Sequence, residues 1–77
     1  MKSTGLEALE RAIEVAGSQA ELARRIGGNV KQAHVWNWLN RDGQIPAEMV
    51  LLIETATAGK VKREELRPDL YPRERVT

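Results

Sequence analysis

The chain has 77 residues, no cysteine and a formal net charge of +1 at neutral pH. This length allows one domain with one small hydrophobic core. We expect a single domain over residues 1–77, with its core at about 4–66 and a charged, proline-punctuated tail at 67–77. The lack of cysteine excludes disulfides and thiolate metal sites. No apolar run could span a bilayer and no signal-peptide pattern is present, so we expect a cytoplasmic protein.

The small net charge conceals an uneven distribution of charged residues. Segment 23–41 has four basic residues and no acidic one, whereas segment 42–59 has three acidic residues and no basic one. Basic residues concentrated on one face attract a polyanion. A solvated charge cluster without a partner would give the same pattern. The basic segment is therefore a candidate surface for nucleic acid.

The first predicted helix runs from Thr4 to about Ala16. Leu6, Leu9 and Ile13 recur in it at the spacing of a core-facing stripe. Acidic side chains occupy much of the rest of this segment. We interpret this helix as part of the scaffold.

A second, shorter helix and a glycine turn follow. Ser18 and Glu21 have the spacing of a capping box, in which each residue's side chain bonds the other's backbone N–H. Gly27-Gly28 predicts the end of this helix, because glycine adopts left-handed backbone angles without a Cβ clash.

The third predicted helix covers about residues 31–40. Val35, Trp38 and Leu39 share one face, which we expect to point inward. Trp36 lies two positions from Trp38 and cannot share that face, so it is either a contact residue or a partial cover for the core. Helix, tight turn and helix with a polar outer face are typical of a helix-turn-helix.

The fourth predicted helix starts at Pro46 and ends near Ala58. Its residues 49–53 are all apolar, so apolar side chains point all round the helix. One small monomer can hardly bury them all, which predicts a dimer interface that includes Val50 and Leu51. The alternative is that the C-terminal segment folds back over this helix through four side chains, Val61, Leu66, Leu70 and Tyr71.

The last part of the chain offers little regular structure. Residues 61–66 could form one more helical turn. Pro68 and Pro72 make regular structure unfavourable after it, because proline lacks the backbone N–H.

Several motifs in order resemble one family. They are Gln19-x-Glu21-Leu22-Ala23-x-x-Ile26-Gly27, Val35-x-x-Trp38-Leu39, Gly43-x-x-Pro46-Ala47-Glu48 and Leu66-Arg67-Pro68-Asp69-Leu70. Together they resemble the helix-turn-helix of Cro-type phage repressors, and more closely the Cro-like prophage regulators of the YdaS antitoxin type. The spacing from the turn glycine to the buried tryptophan is two residues longer here than in the common pattern.

The resemblance implies a fold and a function. The fold is all-α, a small lambda-repressor-like helix-turn-helix domain of four to five helices. The function is that of a sequence-specific DNA-binding transcriptional regulator, a Cro-like repressor. It would act as a homodimer on a double-stranded operator, in a bacterial cytoplasm and at the nucleoid. The alternative is a protein-interaction module, or an antitoxin with a toxin partner, that uses the apolar fourth helix.

A third helix placed in the major groove would present its early residues to base edges. The candidates for base contacts are Lys31, Gln32, Ala33, Trp36 and Asn37. Gln32 and Asn37 could pair bidentately with adenine, and Lys31 could reach guanine or a phosphate. Ala33 and Trp36 offer apolar surface to a thymine methyl group.

The candidates for DNA backbone contacts flank this helix. They are Ser18, Gln19, Arg24, Arg25, His34 and Arg41. The arginines would bind phosphates without reading sequence. Ser18 and Gln19 match the phosphate-contacting end of the second helix in the family. His34 could donate to a phosphate, or could be a surface histidine without a role in DNA binding.

We expect no enzyme activity, no metal site and no cofactor. His34 is the single histidine, so a histidine metal cluster is not available. Ser3 and Ser18 suit helix starts better than nucleophiles. Gly27-Gly28 is too short for a phosphate-binding loop.

Overall fold

The structure is a computed structural model that describes residues 4–72. Within that range the chain forms five α-helices and no strand. They are α1 (Thr4–Ala16), α2 (Gln19–Ile26), α3 (Gln32–Asn37), α4 (Ala47–Ala56) and α5 (Arg63–Leu66), and a π-helical turn (Trp38–Asp42) extends α3. The predicted all-α fold is confirmed. No helix among these residues has both the length and the apolar character needed to cross a membrane.

The helices enclose one hydrophobic core. α1 packs against α2 and α5, and α2 also packs against α3 and α4. As the stripe in α1 predicts, Leu6 and Leu9 are buried and Ile13 is half-buried against the same core. The buried apolar side chains are Leu6, Ala8, Leu9, Ala12, Ala16, Leu22, Ala23, Val35, Trp38, Ile45, Val50, Ile53, Val61 and Leu66.

α4 divides its apolar run between the core and the surface. Val50 and Ile53 are completely buried, whereas Leu51 and Leu52 are 42% and 43% exposed. The prediction that Val50 lies at a dimer interface is therefore wrong for the folded monomer, because Val50 has no surface left to offer. Leu51 and Leu52 are the apolar surplus of this helix.

The C-terminal segment covers part of the core. This agrees in part with the alternative prediction that the segment folds back over α4. Val61 and Leu66 are buried, and Tyr71 packs partly buried against the core. Leu70 stays 44% exposed. The segment leaves Leu51 and Leu52 uncovered, so folding back removes only part of the apolar surplus.

Arg67 fixes the start of the segment that the sequence assigns to an irregular tail. Its guanidinium donates from Nη1 to the carbonyl of Ile45 at 2.6 Å, and from Nε and Nη2 to the Asp69 carboxylate at 3.0 and 2.8 Å. The side chain is only 13% exposed. Residues 67–72 lack helix and strand, as predicted, yet they are held against the loop before α4. The remaining predicted tail, residues 73–77, lies outside the described range.

Two ion pairs hold α5 to its neighbours. Arg63 donates from Nη2 to Glu54 Oε1 at 2.7 Å, which joins α5 to α4. Arg11 Nη2 contacts Glu65 Oε2 at 2.9 Å and joins α1 to α5. Such pairs near the surface contribute little stability each, but they orient the short α5.

Thr57 closes α4 with a buried hydroxyl. Its Oγ1 donates to the carbonyl of Ile53 at 3.1 Å and accepts from the backbone N–H of Val61 at 3.2 Å. Ala58 follows with φ of 55°, a left-handed conformation that is unfavourable for alanine. The hydroxyl therefore holds together a tight connection between α4 and the last part of the core.

Replacing Thr57 by valine tests this connection. The change keeps the shape of the side chain but leaves the buried N–H of Val61 without an acceptor. We expect Thr57→Val to lower the free energy of unfolding by about 1–3 kcal/mol in urea denaturation. Thr55→Val, at an exposed position of α4, is the matched control. Equal losses in both variants would contradict the role of the Thr57 hydroxyl.

Candidate nucleic-acid interface

α2 begins at a serine cap. Ser18 has extended backbone angles, and its Oγ accepts from the N–H of Glu21 at 3.0 Å. This half of the predicted capping box is confirmed. The Glu21 carboxylate takes the hydrogen bonds of Arg24 and Arg25 rather than completing the box. The N-terminus of α2 is thus fixed with Gln19 as its first residue.

The connection from α2 to α3 is a five-residue turn, 27–31. Gly27 and Gly28 have φ of 85° and 61°, which a side chain with a Cβ disfavours. The N–H of Gly27 donates to the carbonyl of Ala23 at 3.0 Å, and the N–H of Val30 donates to that of Gly27 at 3.2 Å. These two backbone hydrogen bonds hold the turn between α2 and α3. Its length agrees with the long spacing from Gly27 to Trp38 in the sequence.

α3 starts one residue later than predicted. Lys31 precedes the helix with extended backbone angles, and its N–H donates to Nδ1 of His34 at 2.8 Å. The N–H of His34 in turn donates to the carbonyl of Lys31 at 2.9 Å. Because Nδ1 accepts, this hydrogen bond assigns the ring proton of neutral His34 to Nε2. His34 is a helix cap, a role that the sequence analysis missed because histidine is an uncommon capping residue.

One side-chain hydrogen bond joins the starts of α2 and α3. Nε2 of Gln32 donates to Oε1 of Gln19 at 2.6 Å. The sequence analysis predicted Gln32 as a base contact and Gln19 as a phosphate contact. The structure brings the two side chains together. Gln32 keeps a carbonyl oxygen and a second amide hydrogen for another partner.

The outer side of α3 forms one continuous face. Residues 33, 36, 37 and 40 recur at helical spacing, opposite the buried Val35 and Trp38. We define the reading face as five side chains, Gln32, Ala33, Trp36, Asn37 and Asn40. Asn37 is half-buried and the other four are exposed. Four of the five predicted base contacts thus lie on one surface, while Lys31 lies beside it at the N-cap.

Asn40 is a member of the reading face that the sequence analysis missed. Its Nδ2 donates to the carbonyl of Trp36 at 3.1 Å, within the π-helical turn. A side chain that takes this carbonyl competes with the backbone bonds of an α-helix, which accounts for the local change of helix type. The spacing from Ala33 to Asn40, seven residues, was the signal available in the sequence.

The four cations of the basic segment differ in how free they are. Arg24 binds Glu21 through two hydrogen bonds, and Arg25 Nε lies 3.4 Å from the same carboxylate. The hydrogen bond from Arg24 holds the pKa of the Glu21 carboxyl below its ordinary value. Within residues 4–72, Lys31 and Arg41 have no carboxylate within 4 Å. Of these four cations, the two without a carboxylate partner among the described residues therefore lie at the two ends of α3 and its extension.

The described residues include no group of three or more histidine or carboxylate side chains that could hold a metal ion.

α2, the turn and α3 with its exposed face define a helix-turn-helix domain. A family model described as "Bacterial toxin YdaS" matches residues 9–75. The chain belongs to this YdaS family. The sequence resemblance had pointed to an antitoxin type within the family, whereas the family's description names a toxin.

One curated relative of this family has a regulatory description. The chain is 43% identical over 61 residues to "Putative transcriptional regulator YdaS" of Escherichia coli strain K12. The match covers 79% of this chain and 60% of the relative, so the chain spans less than two thirds of that protein's length. No solved structure matches the chain significantly.

The cap of α2 can be tested by removing its oxygen. Ser18→Ala leaves the N–H of Glu21 without its acceptor and should lower the free energy of unfolding by about 1 kcal/mol in chemical denaturation. Ser18→Asp restores an acceptor and is expected to retain most of the stability. Equal stability of the alanine variant and the wild type would show that the hydroxyl does not hold α2.

Proposed function

We propose that this protein is a sequence-specific DNA-binding transcriptional regulator, a Cro-like repressor that inserts α3 into the major groove of an operator. The observation that carries the proposal is the reading face, a surface of amide and apolar side chains. It lies between two cations, Lys31 and Arg41, that have no carboxylate partner among residues 4–72. A helix is the element that fits the major groove, where base edges present hydrogen-bonding groups and methyl groups. The regulatory description of the Escherichia coli relative supports the same function.

Three amide side chains would read the bases. Gln32, Asn37 and Asn40 each offer both a donor and an acceptor, the combination that adenine presents in the major groove. The bond between Gln19 and Gln32 orients one of these amides before DNA arrives. Less ordering is then needed on binding, which favours affinity.

Phosphate contacts would fix the orientation of the domain on the duplex. Lys31 and Arg41 are free to bind phosphates on either side of the groove, and Nε2–H of His34 is available as a further donor. Ser18 and Gln19 lie at the N-terminus of α2, where backbone N–H groups favour anions. Arg24 and Arg25 would bind phosphates more weakly, because both already bind the Glu21 carboxylate.

A second copy of the chain would complete the regulator. Leu51 and Leu52 expose adjacent apolar surface on α4. A homodimer joined there could present two copies of α3 to a palindromic operator, whose half-sites lie about 34 Å apart. This function would place the protein at the nucleoid in the bacterial cytoplasm.

A second candidate function has support of its own. The family's description names a toxin, and the exposed leucines of α4 offer a surface for a protein partner. In this case the chain would be a protein-interaction module, or one half of a toxin–antitoxin pair, with little sequence-specific DNA binding. Salt separates the two functions, because phosphate contacts weaken steeply with salt and an apolar interface does not.

Fluorescence anisotropy tests the proposal directly. A labelled duplex from the DNA upstream of the gene is titrated with the protein at two salt concentrations, with unrelated competitor DNA present. We expect preference for the upstream duplex and a steep loss of affinity with salt. Absence of preference at both salt concentrations would transfer the assignment to the protein-interaction module.

The same assay distinguishes free from paired cations. Arg41→Ala should reduce the slope of log affinity against log salt by about one unit, because one phosphate contact is lost. Arg24→Ala should reduce the slope by less, because the Glu21 carboxylate already compensates part of the charge of Arg24. Lys60→Ala, an exposed cation outside the helix-turn-helix, is the control and should leave the slope unchanged. Equal slopes for wild type and Arg41→Ala would remove Arg41 from the interface.

The dimer surface is tested by a charge on α4. Leu51→Lys should shift the protein from dimer to monomer in sedimentation velocity, because an unpaired ammonium is costly in an apolar contact. Leu70→Lys places the same charge on a similarly exposed leucine and should not change the oligomer. A dimer that persists in Leu51→Lys would exclude this face, and circular dichroism checks that both variants stay folded.

A further inference from the structure

The centre of the reading face is apolar. Ala33 and Trp36 are neighbours on one side of α3, three positions apart, and both are exposed. Trp36 is 48% exposed, more than any other large apolar side chain that the described range exposes, including Leu51, Leu52 and Leu70. The two side chains form a small apolar surface that is bordered by amide side chains.

Trp36 lies on the side of α3 that faces away from the core. α3 contributes Val35 and Trp38 to the core from its opposite side. Trp36 lies outside the core cluster and on the exposed side of the helix. This favours the contact role over the partial cover that the sequence left open.

The surroundings of the apolar centre restrict what can bind there. Gln32 and Asn40 border it, and each is held by an intramolecular hydrogen bond. Lys31 and Arg41 lie at the two ends of the helix without a carboxylate partner among the described residues. The matching ligand presents a small apolar group between hydrogen-bonding groups, within a polyanion. In the major groove that group is the C5-methyl of a pyrimidine.

We propose that Ala33 and Trp36 form a contact site for pyrimidine C5-methyl groups, so that the preferred DNA carries thymine at the base pairs facing them. The proposal rests on the proposed function, since it needs α3 in the major groove. It assigns two roles within the reading face. The amides select hydrogen-bonding edges, and Ala33 with Trp36 separates thymine from cytosine and from uracil by the methyl group alone.

Deoxyuridine provides the test. Uracil keeps the hydrogen-bonding groups of thymine and lacks only the methyl group. A randomised duplex library is first selected on the wild-type protein to obtain a consensus duplex. Each thymine of that duplex is then replaced singly by deoxyuridine. Anisotropy should show about a fourfold loss of affinity at the one or two thymines that face Ala33 and Trp36, the value expected for one buried methyl group.

Protein variants connect that loss to the side chains. Trp36→Ala should bind the thymine duplex more weakly and should no longer distinguish it from the uracil duplex. Trp36→Phe keeps an apolar ring and should retain part of the distinction. Leu70→Ala removes a comparably exposed leucine elsewhere and should behave as wild type. Circular dichroism and thermal unfolding confirm that the variants are folded.

The outcomes separate this proposal from the proposed function. Specific binding that tolerates uracil at every position would overturn the methyl contact and leave the regulator in place. Full discrimination in Trp36→Ala would overturn the role of Trp36. A library that yields no consensus would remove both proposals, because no base would then be read.

Discussion

The outer surface of the helix-turn-helix depends on the burial of one side of α3. Val35 and Trp38 enter the core, and the helical period then turns Ala33, Trp36 and Asn40 to the opposite side. The apolar area buried on the inner side fixes the rotation of the helix about its axis. A change of register by a single residue would bring a different set of side chains to the surface and would remove Trp38 from the core. The same packing therefore stabilises the monomer and sets the composition of the reading face.

Burial of one side fixes only the rotation of α3 about its axis. Polar contacts fix the position of this short helix relative to α2. α3 has six residues, too few to be stable by itself. The hydrogen bond from Gln32 to Gln19 joins its first turn to α2, and the cap between Lys31 and His34 closes its N-terminus. Gly27 allows the left-handed turn that brings the two helices together. These contacts leave the helix few ways to move relative to α2. A rigid face of this kind loses little conformational entropy when a partner binds, which favours affinity.

The parts of this arrangement that follow from periodicity could be predicted, and those that follow from three-dimensional contacts could not. Trp36 and Trp38 were assigned to opposite faces because two positions along a helix differ by about 200°. Val50 was misplaced because an unbroken apolar run has no period, so the choice between Val50 and Leu51 is made by the helices that pack against α4. Asn40 was missed although the predicted helix included it, because the π-helical turn that begins at Trp38 places its side chain beside Trp36 through a hydrogen bond that the sequence does not show. The sequence thus gives the direction of side chains where polar and apolar residues alternate, and loses it where they do not.

The charges also show a difference between what the sequence predicts and what three-dimensional contacts decide. That difference affects sequence specificity under the proposed function. Sequence counting treats the four cations of segment 23–41 as equivalent, but Glu21 compensates Arg24 and Arg25, which leaves Lys31 and Arg41 unpaired in the described range. Phosphate contacts are the main source of affinity for DNA of any sequence. A protein with four free cations would bind all DNA more tightly, and the base contacts would then decide a smaller share of its occupancy. Under the proposed function, Glu21 would reduce that general attraction because it pairs two arginines internally. Under the proposed function, the remaining cations hold the domain in the groove, while the amides and the apolar centre of α3 determine which sequence it occupies.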